Sequence, residues 1–139
     1  MKTKFKYFFV ILTVLLCFSL AACNKTYFWE VAQGIENISK IDIYEDYEED
    51  SQVLLCEIAI EDYEEIVNDI LSMPAHKYFG SPVKPQGKVI ILKFVDDTYD
   101  IISLYEPRHI NGLNGGKISW LYFNEKDYNQ LIEKWLAKS

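Results

Sequence analysis

The chain has few of the residues that usually carry chemistry. It has two histidines, three cysteines and a single arginine among 139 residues. His76 and His109 are far apart in sequence, and neither has a His, Cys or carboxylate partner at metal-ligand spacing, so no zinc site is expected. No G-x-S-x-G or S-x-x-K element is present to activate a serine. The glycine-rich phosphate and dinucleotide fingerprints are missing as well, so no cofactor is expected. Positive charge is scarce: the whole chain carries −7. That excludes a nucleic-acid binder, which needs a basic patch. Finally, no uncharged apolar run reaches the roughly 20 residues that a membrane span requires.

What the amino end does have is ordered. Lys2, Lys4 and Lys6 form a positive segment, and Phe8 to Leu20 is uncharged and mostly apolar. Leu20, Ala21, Ala22 and Cys23 follow, and the chain turns polar at Asn24. This is the layout of an export signal. The Leu-Ala-Ala-Cys ending resembles the lipobox of bacterial lipoproteins. The resemblance covers only the first 23 residues. It implies cleavage before Cys23, a diacylglycerol on its thiol, and a mature chain anchored to the outer side of the cell membrane. Two or three acyl chains hold a bilayer far more firmly than one. Abundant Lys, Ile, Tyr, Asn and Glu suggest a low-GC Gram-positive source.

Removing residues 1–22 takes away three lysines and no acid, leaving −10 on residues 23–139. That charge favours basic partners and disfavours lying flat on anionic headgroups. Cys17 leaves with the signal and Cys23 carries lipid, so Cys56 is left without a disulfide partner. Its apolar surroundings, VLLCEIAI, describe a small core residue rather than an activated thiol.

The remainder reads as one domain over 36–139, joined to Cys23 by a short aromatic tether, 23–35, that holds Tyr27, Phe28 and Trp29. These aromatics either pack on the domain or sit at the headgroup level. Alternation marks strands at Ile38–Asp46 and Gln52–Ile60, with Ile41 and Ile43 facing in and Lys40, Asp42 and Tyr44 facing out. Glu61–Met73 has helical spacing, a capping-box-like start in Asp62 and Glu65, and Pro74 as its stop. Pro74–Gly87 reads as a loop. Lys88–Val95 is apolar on both faces, as a central strand would be, and Tyr99–Glu106 returns beside it. Pro107–Gly116 is a turn-rich connection, Lys117–Asn124 a strand, and the last fifteen residues a helix capped by Asn124. The expected fold is α+β, in the order ββα-βββα: an antiparallel sheet of about five strands with two helices on one face. It resembles small lipoproteins of Gram-positive bacteria and, loosely, the beta-lactamase inhibitor protein.

Two segments are the main candidate binding surfaces, with the Pro74–Gly87 loop, through Tyr78 and Phe79, ranked behind them. Glu36 to Asp69 holds 13 acids and one lysine, with Glu48, Glu49 and Asp50 at a hairpin tip. The tip lacks the glycine that a calcium loop needs at its bend. The connection YEPRHINGLNGG could present Arg108, His109 and Asn111 to a ligand. These features suggest a non-catalytic binding module tethered to the membrane. One alternative is an inhibitor of a basic secreted enzyme such as a lysozyme. Another is a cell-wall hydrolase working through two carboxylates.

Overall fold

The structure, a computed structural model, describes residues 26–47, 52–77, 80, 86–105, 107–110, 116–118 and 120–139. Its strands are β1 (Ile38–Tyr44), β2 (Leu54–Glu57), β3 (Ala75–Lys77), β4 (Val89–Phe94), β5 (Tyr99–Ile102), β6 (Arg108–Ile110), β7 (Gly116–Ile118) and β8 (Leu121–Phe123). Its α-helices are α1 (Tyr63–Ser72) and α2 (Glu125–Lys138). Six strands form one sheet in the order β2-β1-β4-β5-β6-β7, and β3 pairs with β8 in a second. Every pairing is antiparallel. The α+β class expected from the sequence is the class observed.

The central place of β4 follows from its composition. One set of its residues, Ile90, Leu92 and Phe94, joins the main core with Ile41, Ile43 and Ile102. Both helices cover that face, α1 through Ile66, Val67 and Ile70 and α2 through Leu131, Ile132 and Trp135. The alternate set, Val89 and Ile91, packs with Ile101 on the opposite face under Tyr44, Tyr47, Tyr99 and Ile110.

That second face alters the reading of β1. Asp42 was expected to face solvent, yet it is fully buried. Lys40 Nζ lies 3.2 Å from Oδ1, Lys93 Nζ lies 3.3 Å from Oδ2, and the Tyr44 hydroxyl donates to Oδ2 at 3.1 Å. Oδ1 has the ion-pair contact but no aligned hydrogen bond among the described residues. A carboxylate leaves water only where cations replace the lost solvation.

The segments read as loops contain pairing. β3 begins one residue after Pro74, and β6 lies within Pro107–Gly116. The strand expected over Lys117–Asn124 is two, β7 and β8. Between them Trp120 adopts a φ of 54°, a left-handed conformation that breaks the strand. The tether also belongs in part to the fold. Tyr27 exchanges backbone hydrogen bonds with Ala75 (3.1 and 2.8 Å), and Trp29 is buried in the core.

The helix starts differ from each other. Asn124 Oδ1 accepts from the backbone N–H of Lys126 and Asp127 (3.0 and 3.3 Å), as a cap should. Asp62 makes no such bond. Its carboxylate instead accepts from Lys138 Nζ at 2.8 Å, tying the start of α1 to the end of α2. Glu65 lies between Lys138 (2.7 Å) and Lys134 (2.9 Å), and Asp69 takes Lys134 at 2.6 Å. Lys138 and then Lys134 hold the Glu65 carboxyl below the usual carboxylate range. Much of the acidic stretch is therefore neutralised within the fold rather than left for a partner.

Tyr128 locks α2 to the sheet. Its hydroxyl lies 2.7 Å from the Lys88 carbonyl and 2.9 Å from that of Ile102. Burial pushes the phenol far up, so it remains a donor. Tyr128→Phe is expected to destabilise the domain by about 1–3 kcal/mol, because it strands buried carbonyls. A urea midpoint that falls at unchanged slope checks this.

Candidate functional site

Strand pairing creates the site. β5 and β6 run antiparallel with Asp100 directly opposite His109. Alternation places both on the face of Ile102, beneath the amino-terminal segment that crosses the sheet. His109 Nδ1 hydrogen-bonds Asp100 Oδ1. Asp100 Oδ2 accepts the Ala32 backbone N–H at 3.0 Å. Trp29 lies against the imidazole, with ring centroids 4.6 Å apart and planes tilted by 36°. Its buried Nε1–H has no partner among the described residues.

The β4–β5 turn forms the adjoining wall. Asp97 takes a φ of 65°, and Asp96 Oδ1 accepts from the Thr98 hydroxyl (2.6 Å) and backbone N–H (3.1 Å). Gln33 Nε2 bridges Asp96 at 2.8 Å and Thr98 at 3.0 Å. Together these groups line an open cleft of about 210 Å³ that runs from Ala32 and Gln33 past Asp96 and Thr98 to His109 and Ile110.

Its two carboxylates are pushed in opposite directions. Burial raises the Asp100 carboxyl above its ordinary value, an effect partly offset by the hydrogen bond to His109. Hydrogen bonds from Thr98 lower Asp96. Asp100 has no exposed surface, whereas about a quarter of the His109 side chain is exposed. His109 is thus the member of the pair that meets solvent. Asp100 sets its orientation from behind.

Of the residues singled out from the sequence, Arg108 and His109 are both on β6. They do not converge. Arg108 pairs with Ile101 and turns to the face opposite the helices, while His109 turns to Asp100. Asn111, Glu48, Glu49, Asp50 and Cys23 lie outside the described residues, as do Tyr78 and Phe79. Sequence reasoning missed Asp100, Trp29 and Ala32. The available signal was an isolated acid inside the apolar run of β5.

Among the described residues, no group of three or more His, Cys, Asp or Glu side chains gathers where a metal ion could sit. Nor is any helix among them long and apolar enough to cross a membrane. No family model, no curated protein and no solved structure matches the chain.

Proposed function

We propose that the chain is a lipid-anchored extracytoplasmic protein whose domain is a non-catalytic binding module, engaging its partner along β6 and the cleft beside it. The anchor rests on the lipobox-like Leu20–Cys23. The observation that carries the binding reading is a half-exposed pair fixed at the cleft: His109 meets solvent, while Asp100 behind it is engaged by His109 and the Ala32 N–H. Thr98 bonds to Asp96 and closes the turn that forms the adjoining wall.

A second reading has one specific support. Two carboxylates whose environments drive them apart are the pattern of an acid and a base. Asp96 and Asp100 fit it, which supports a carboxylate-based cell-wall hydrolase. Against it, Asp100 is sealed from solvent with both oxygens engaged. The inhibitor alternative is a binding module with a basic target, and the acidic tip would serve it by steering.

Capture from a culture secretome with the purified domain separates these readings. A retained partner supports the binding module. Arg108→Ala and His109→Ala are then expected to speed its dissociation. Replacing Glu48, Glu49 and Asp50 with Ser should slow association and flatten its salt dependence if the tip steers a basic protein. Turnover of cell-wall fragments that is lost in Asp96→Asn would overturn the binding module in favour of the hydrolase.

A further inference from the structure

The second sheet has one face without a layer over it among the described residues. Ala75 on β3 and Phe123 on β8 point into the core. Their neighbours His76 and Tyr122 point the other way, with ring centroids 5.4 Å apart. Tyr105 bridges to Tyr122 and sets its ring 6.1 Å away. Trp120 precedes β8 by one residue, and Phe28 flanks the Tyr27–Ala75 bridge. Phe28, Trp120 and Tyr105 are 52%, 41% and 39% exposed. Large aromatics at that exposure, grouped on one sheet, form an apolar patch with polar tips rather than scattered surface residues.

The route of the chain says what could meet this patch. Tyr27 pairs antiparallel with Ala75, so Thr26 falls opposite His76 at the edge of the aromatic face. Cys23 is three residues before Thr26, a reach of about 10 Å at full extension. The headgroup region on each side of a bilayer is only about 5–8 Å deep. A lipid on Cys23 would hold Thr26, and the face beginning there, against that region. Tyrosine and tryptophan are the side chains that prefer this depth.

We propose that the outer face of the β3–β8 sheet, carried by Phe28, Tyr105, Trp120 and Tyr122, is the surface on which the domain rests at the bilayer interface. The proposal depends on the lipid anchor at Cys23. Such contact leaves the domain in a set orientation rather than swinging on its tether. The −10 charge of the mature chain calls for a zwitterionic membrane in the test, since anionic headgroups would repel it.

The test uses the full lipidated chain in phosphatidylcholine vesicles whose acyl chains are brominated near the glycerol. Trp29 and Trp135 are buried, so bromine at that depth reports on Trp120. Tryptophan emission is expected to be quenched, and Trp120→Phe should lose most of that quenching. A chain that labels with a palmitate analogue and floats with the vesicles, yet is not quenched, overturns this surface and leaves the anchor standing. A chain that neither labels nor floats overturns both. A Cys23→Ser chain that sediments as a dimer with Trp120 shielded would assign the face to a second copy and overturn the proposal too.

Discussion

Trp135→Ala is expected to remove about 3–5 kcal/mol of stability, the range for truncating a buried Trp or Phe. Trp135 is 1% exposed and lies where α2 meets both the sheet and α1. Its Nε1–H donates to Asp69 on α1 at 3.0 Å. Lys134 and Lys138 stand over the ring, their Nζ atoms 5.1 and 4.6 Å from its centroid, while they pair with α1 carboxylates. The alanine variant thus opens a cavity and loosens the ion pairs that depend on the ring as a floor. A domain of this size holds about 5–15 kcal/mol in total, so the variant should be close to the edge of folding. Trp135→Phe keeps most of the volume and loses only the donor, and about 1 kcal/mol is expected from it. Equilibrium urea unfolding of the three chains measures both steps. Equal losses from Ala and Phe would mean that the hydrogen bond, rather than packing, dominates.

Asp100→Ala is expected to cost about 1–3 kcal/mol, because it leaves the Ala32 N–H and the His109 Nδ1 edge unpartnered beneath the crossing segment. The isosteric Asp100→Asn should be milder and gives the sharper test through pH. Burial raises the folded-state Asp100 pKa above that of the unfolded chain. Across the interval between the two values the native state binds more protons than the unfolded one, so stability falls as pH rises. The favourable contribution is complete below the ordinary carboxylate pKa and is lost as pH climbs through the raised one. Asparagine does not ionise there. Relative to Asp100→Asn, the wild type should therefore lose stability as pH increases through that window. Glu65 and Asp96, which are shifted downward, act in the opposite sense, but both are common to the two chains and cancel in the difference. A gap that is constant with pH, or that moves the other way, would contradict the assignment of burial as the dominant effect on Asp100.

The parts of the fold legible in the sequence were those with strong periodicity. The apolar stripe of α2 and its Asn124 cap, the two-faced run of β4 and the alternation of β1 all identify their elements, because burial imposes the period. Local rules failed where tertiary contacts replaced local ones. Asp62 and Glu65 have the spacing of a capping box, yet lysines from a helix some 70 residues away take both carboxylates. Asp42 follows the polar phase of β1, but the sheet has a second apolar layer, and Lys40 and Lys93 make its burial tolerable. β3 and β6 are three residues each and are embedded in turn-rich sequence, so no periodicity can reveal them. The site was half legible. His109 stands out as one of two histidines. Its partner is set by the β5–β6 register and its stacking by a tether aromatic, and neither is encoded by local spacing.

Mass spectrometry of the mature amino-terminal peptide from the native host tests the proposed lipid anchor at Cys23 most directly. The account predicts a peptide that begins at Cys23 and carries the added mass of a diacylglyceryl group, with an acylated amino group in hosts that complete the modification. The same peptide should be missing from a Cys23→Ser strain. A mature chain that begins elsewhere, or an unmodified Cys23 within a longer amino-terminal peptide, would contradict it.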